Sequence, residues 1–154
     1  MRIRLRYLFD FLRVETGAVF AEAIIVLPVI TIFSVGILEF GNILWQRHQV
    51  QTGVRDAARY WSRCPENYTV CSETVAQNIA FYGTPNPAAD SPSRVPGWGQ
   101  TPAADLVITG PDEDSDIITV VGRADYRASP LFNVLGLEAP IEIEYYFQTR
   151  YFGW

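Results

Sequence analysis

The chain has 154 residues, a formal charge of −5 and 49% hydrophobic residues, which fits one ordered unit or a membrane segment joined to one small domain and excludes a large multidomain enzyme. All twelve basic residues are arginine, set against seventeen acids, so the broad positive field that a nucleic-acid partner requires is missing.

The order of the charges says more than their sum. Residues 1–17 carry Arg2, Arg4, Arg6 and Arg13 against Asp10 and Glu15, a basic leader, whereas residues 46–154 carry eight arginines against thirteen acids. Between them runs Ala18 to Trp45, with no charged residue from Ala23 to Leu38. A bilayer core takes about 20 mostly apolar residues, so Ala18 to Leu38 spans it if Glu22 is tolerated near one end. The basic leader then stays in the cytoplasm and the acidic body crosses the membrane. A cleaved secretory signal is the competing reading. Against it stand the length of the apolar stretch and the absence of a small-x-small triplet after it, where Glu39, Phe40, Gly41, Asn42 and Ile43 follow.

Glu22 is the residue that needs explaining, because a carboxylate in an apolar membrane helix is costly and normally functional. If the chain is cut after Gly17, Ala18 supplies a new amine at the helix start and Glu22 becomes the fifth residue. Amine and carboxylate then compensate each other, within one chain at i to i+4 or between subunits. A short basic leader ending in Gly, a cut before a small residue and Glu at the fifth mature position resemble the signal of type IV pilins. Gly17-Ala-Val-Phe-Ala-Glu22-Ala-Ile-Ile-Val-Leu-Pro28, then Gly36-Ile-Leu-Glu39-Phe-Gly41 and Arg55-Asp-Ala-Ala-Arg59-Tyr60, resemble TadE, the minor pilin or pseudopilin of tight-adherence (Flp) pili.

That resemblance implies a structural protein without cofactor, processed at Gly17 and Ala18 by a prepilin peptidase and seated through Glu22 among major Flp-type pilins and other minor pilins. It also implies an inner-membrane pilus assembly platform and the lipid bilayer as partners, with the protein single-pass in a bacterial inner membrane and its head extracytoplasmic. The chain accordingly divides into a leader (1–17), a transmembrane and assembly helix (18–45), its amphipathic continuation (46–63) and a head (64–154).

Pro28 removes one hydrogen bond from the membrane helix and introduces a kink there. Beyond Glu39 and Asn42, which mark the outer end of the span, Val50, Val54, Ala57, Ala58 and Trp61 form an apolar stripe at helical spacing, with Gln46, Arg47, Gln49, Gln51, Arg55 and Arg59 on the other faces. Cys64 and Cys71, the only cysteines, lie beyond the membrane, where an oxidising compartment allows a disulfide. Two reduced thiols are the alternative, and zinc lacks ligands, since His48 is sixteen residues from Cys64.

Pro65 stops the helix. Glu73 to Tyr82 reads as a short helix with Ser72 at its N-cap and Gly83 at its end. Thr84 to Ala104, with five prolines, reads as a long irregular loop, and Trp98 within it as a lid over the core rather than a contact residue. Three strands follow, Leu106 to Thr109, Asp116 to Arg127 and Ile141 to Tyr151, with a helical turn over Ser129 to Leu135. Strict alternation puts Ile118, Val120, Ala124 and Tyr126, and Ile141, Ile143, Tyr145, Phe147 and Thr149, on core faces. The fold class expected is α+β: a long N-terminal, pilin-like helix packed against a small antiparallel sheet.

Asp112, Asp114 and Asp116 alternate in the first hairpin loop, a weak calcium pattern; the EF-hand positions for Gly and Glu hold Ile117 and Arg123, so a solvated turn is the plainer reading. Asn67-Tyr68-Thr69 fits a glycosylation sequon too short to carry weight. One His, no nucleophile elbow and no phosphate loop leave the inventory for an enzyme thin. Two classes of function remain: a pilus assembly subunit, or a permanently anchored periplasmic binding protein with a small α+β head.

Overall fold

The computed structural model of the chain describes residues 15–65, 71–111, 116–130 and 141–153. Its elements are α1 (Glu15–Trp61), α2 (Glu73–Tyr82), α3 (Pro102–Asp105), β1 (Leu106–Thr109), β2 (Ile117–Asp125) and β3 (Glu142–Arg150), an α+β arrangement. The chain divides into two compact units, Met1–Leu38 and Glu39–Trp154.

The first unit contributes the N-terminal part of α1. Its large apolar side chains point outward on every side, with Phe20, Ile25 and Phe33 each about 70% exposed. A helix that is apolar all round is stable only in lipid or against other apolar chains. Val19–Trp61 is long and apolar enough to cross a membrane. Pro28 lies inside the helix. Its missing N–H leaves the carbonyl of Ile24 without the usual partner, while one turn on the Thr31 hydroxyl donates to the Leu27 carbonyl at 2.7 Å.

The second unit is built on the remainder of α1. Val50, Val54, Ala57 and Ala58 are fully buried, and they pack with α2 (Ala76, Ala80, Phe81) and with the inward residues of the sheet. The sheet is antiparallel throughout, in the order β1-β2-β3. Leu106 pairs with Gly122, and Gly122 with Tyr145. Ile118, Val120, Ala124, Tyr126 and Ile143 are buried, as the alternation required, whereas Tyr145, Phe147 and Thr149 on the same face are half-buried and Ile141, expected with them, is exposed just before β3 begins. The strands end slightly inside the expected limits, although Tyr126 still donates its backbone N–H to the Ile141 carbonyl at 2.8 Å.

Two glycines allow this packing. A Cβ at Gly53 would meet the Ala80 carbonyl oxygen and, at 2.8 Å, the Trp98 ring; one at Gly122 would strike Val54. At both places a backbone approaches closer than any side chain permits.

The long loop is anchored as well as irregular. Trp98 is 3% exposed and stacks edge-on to Phe81 with ring centroids 5.0 Å apart, so it is a lid over the core. Arg94 bonds Asp56 of α1 at 2.8 Å and, through its N–H, the Phe81 carbonyl at 2.7 Å. The expected loop ends earlier than Ala104, because Pro102 sits at the start of α3 and the Asp105 carboxylate reaches back to the Thr101 hydroxyl at 2.7 Å. Gly83 closes α2 in the left-handed conformation, while Ser72 occupies the N-cap position without a side-chain capping bond.

Cys64 and Cys71 form a disulfide with Cα atoms 5.8 Å apart. The segment after β3 is fastened beside it: the Tyr151 hydroxyl donates to the Cys64 carbonyl at 2.6 Å and the Phe152 N–H to the Ser62 carbonyl at 3.0 Å.

Candidate functional site

The residues singled out in the sequence fall in different places. Gly17 and Ala18 are both within α1, which begins at Glu15, and Gly17 is exposed. Glu22 is exposed on the same helix and has no ion-pair partner among the described residues. A carboxylate on an apolar surface, with no ion-pair partner among the described residues, is available to a group brought by another molecule or by a new chain terminus.

Glu39 behaves in the opposite way. Only 4% exposed, it lies at the start of the second unit and accepts hydrogen bonds from the Tyr126 hydroxyl, from the Ser129 hydroxyl at 2.6 Å and from the Ser129 N–H at 3.0 Å. No cation pairs with it among the described residues. Its buried charge is balanced by three neutral donors, the arrangement that makes burial of a carboxylate tolerable. The same contact acts on Tyr126: burial, and then the bond to Glu39, push its hydroxyl up to about 12.

Asn42 and Gln46 extend this polar seam along α1. Gln46 was expected on an outer face and is instead 1% exposed. The reason is its amide, which donates to the Arg127 carbonyl at 2.8 Å and accepts the Arg127 N–H at 3.2 Å, pairing with that peptide as a neighbouring strand would. Asn42 Nδ2 donates to the Tyr126 hydroxyl at 3.2 Å, and Gln46 Nε2 to Asn42 Oδ1 at 3.1 Å. In the sequence Glu39 and Asn42 mark the outer end of the span, and Glu39 belongs to a TadE-like segment as well, but neither is expected to join a buried seam. A signal existed: Glu39, Asn42 and Gln46 continue the Val50 and Val54 stripe backwards at i, i+3 and i+7.

Of the calcium pattern, Asp112 and Asp114 lie outside the described residues, as do residues 131–135 of the expected turn and the Asn67 sequon. Asp116 is exposed and lies 3.5 Å from an Arg150 nitrogen. Among the described residues no group of three His, Cys, Asp or Glu side chains is placed to hold a metal ion. His48 is exposed on α1. A cleft of about 280 Å³ between α3 and the ends of β2 and β3 is lined by Asp105, Arg123, Asp125 and Glu142. Asp105 is occupied by Gly99 and Thr101, and Arg123 by Glu144 at 3.2 Å and Glu142 at 3.9 Å.

Compared with known proteins, residues 17–59 match a family described as TadE-like protein. The matched segment opens on Gly17, takes in Glu22, Pro28, Glu39 and Gln46, and ends within the buried stripe of α1. No curated protein and no solved structure matches the chain.

Proposed function

From a chain that is TadE-like over residues 17–59, we propose a structural role: a minor pilin or pseudopilin that takes part in assembling Tad (Flp) pili for surface adherence and biofilm formation. The observation that carries this reading is the family match itself, which begins at the residue after which a prepilin peptidase would cut. In this reading residues 1–17 are a cytoplasmic leader, removal of which makes Ala18 the first residue. The new amine and the Glu22 carboxylate are then the polar pair on an otherwise apolar helix, and they join either within one chain or between this subunit and a neighbouring pilin. The exposed apolar surface of α1 is covered first by lipid and later by the helices of major Flp-type pilins and other minor pilins. Pro28 bends the helix where neighbours satisfy the freed carbonyl. The second unit is the extracytoplasmic head, held by its disulfide in an oxidising compartment.

Intact-mass or N-terminal analysis of protein from its native membrane tests the reading. A chain starting at Ala18 supports it; one retaining Met1 favours a fixed anchor, and one starting after about residue 41 a secretory signal. In the same cells Glu22→Ala leaves insertion and head folding intact and lowers the number of pili, so normal pilus number with that variant removes the role given to Glu22. A bulky or charged residue at position 17 blocks maturation, seen as an unprocessed mass.

A further inference from the structure

We propose that the Glu39 end of the second unit is immersed in the outer headgroup layer of a bilayer, with residues 127–130 at the depth of Phe40 and Leu44, so that the partner of this surface is phospholipid. The inference rests on the bilayer placement in the reading above and is independent of pilus assembly.

Chain order gives an uncharged run of sixteen residues, Ala23 to Leu38. As a helix that is roughly 24 Å, short of a hydrocarbon core of about 30 Å. Burial of Glu39 changes the length that lipid meets. Tyr126 and Ser129 cover its carboxylate, so the next exposed charge on α1 after Glu22 is Arg47. The outward surface is uncharged over Ala23 to Gln46, 24 residues or roughly 36 Å. A core of about 20 residues entered at Ala23 ends near Asn42 and leaves residues 43–46 in the headgroup layer. The side chains suit that depth. Phe40, Leu44 and Trp45 are each about half exposed or more, on the side of α1 away from Gln46 and Val50, and Arg47 and His48 follow at the polar border.

What Glu39 holds lies at the same level. Ser129 gives it a hydroxyl at 2.6 Å and an N–H at 3.0 Å, and Gln46 takes both groups of the Arg127 peptide. Residues 127–129 are thus fixed beside residues 39–46 of the same unit. Exposed apolar groups continue from the helix onto this strand end at Pro130 and at Ile141, whose carbonyl accepts the Tyr126 N–H. Three neutral donors on one carboxylate are what this depth requires, because little water is there to solvate it. Charge does not select the lipid. Among the described residues at this end, exposed Arg47 and Arg127 are offset by exposed Asp125 and Glu142, so the surface enters the interface through apolar area and not through attraction to anionic headgroups.

Both cysteines are in the disulfide, so an introduced thiol is the one reactive site. The full-length chain is reconstituted in phosphatidylcholine vesicles with a nitrobenzoxadiazole label on Phe33→Cys, Leu44→Cys, Pro130→Cys, Ile141→Cys or Gln148→Cys in turn. Quenching is read with lipids spin-labelled at the headgroup or along the acyl chain. Gln148 is exposed near the far end of β3 and serves as the aqueous reference. The expected result is that Leu44, Pro130 and Ile141 are quenched to one shallow depth, several-fold more than Gln148, and that added anionic lipid changes this little. Phe33 is quenched from deeper in the acyl chain. If Pro130 and Ile141 are quenched no more than Gln148 while Phe33 is quenched, the immersion is overturned and the membrane helix stands. Quenching at both that needs anionic lipid overturns the apolar basis of the contact. Protection of both from aqueous iodide without lipid quenching makes a protein chain the occupant and overturns it too. Loss of quenching at Phe33 removes the bilayer placement itself.

Discussion

Two glutamates on one helix show how differently the two units use charge. Glu22 stands exposed on an apolar helix, whereas Glu39, seventeen residues on, is buried under three hydrogen-bond donors. The first carboxylate has no ion-pair partner among the described residues, and in the proposed function it waits for one from a new chain terminus or a neighbouring subunit. The second is complete, and removing it strands the groups that were built around it. On the proposed function the exposed charge serves assembly, while the satisfied one fixes the fold.

The sharpest way to break that contrast is to remove each carboxylate in turn. Glu39→Ala leaves the buried Tyr126 hydroxyl without its acceptor, at a cost of about 1–3 kcal/mol, and frees the partly buried Ser129 donors at a smaller one. A lowered melting temperature, followed by near-ultraviolet circular dichroism, is the expected readout, with Glu39→Gln intermediate because its amide oxygen still accepts. Glu22→Ala leaves that melting temperature unchanged. Equal melting curves for Glu39→Ala and the parent chain would remove the distinction.

Next in size is the disulfide, again a feature of the second unit alone. Cys64→Ser frees the short loop it closes and destabilises the head by about 2 kcal/mol, measured in oxidising buffer. The same variant without loss of stability would show that the bridge is dispensable.

Alkaline pH loosens the seam from the Tyr126 side. A hydroxyl held at about 12 in the folded state, against 10.0 when free, keeps its proton more tightly when folded. Its contribution is therefore whole below pH 10 and is lost as pH rises from 10 through 12, a change on the order of 2 kcal/mol. Tyr126→Phe flattens that part of the stability curve. The smallest expected effect is at Gly53. Alanine in a helix interior normally gains up to about 1 kcal/mol over glycine. Here the new methyl meets the Ala80 carbonyl and the Trp98 ring, so Gly53→Ala lowers stability by about 1–2 kcal/mol. A chemical-denaturation midpoint that rises instead would mean the two helices can separate at no cost.

The second unit was legible wherever one side chain followed the next in a fixed rhythm. The alternation of β2 and β3 named Ile118, Val120, Ala124, Tyr126 and Ile143 as core, and helical spacing named Val50, Val54, Ala57 and Ala58. Proline and glycine marked the ends of α2 and the beginning of the long loop, although Pro102 proved to open a helix instead of prolonging the loop. The polar seam was hidden because polarity alone argues for exposure. Gln46 is buried only because a peptide 81 residues away offers a donor and an acceptor at the right spacing.

By itself the sequence determined an apolar helix long enough to cross a membrane, the basic stretch before it, most of the strand faces and the two cysteines available to pair, all of which follow from local periodicity, charge order and composition. Tertiary structure decided which carboxylate is sealed, which glycines admit a neighbouring backbone, and that Trp98 closes the core. Those outcomes depend on what a side chain meets across the fold, and chain order does not carry that information until the sheet and helix have packed.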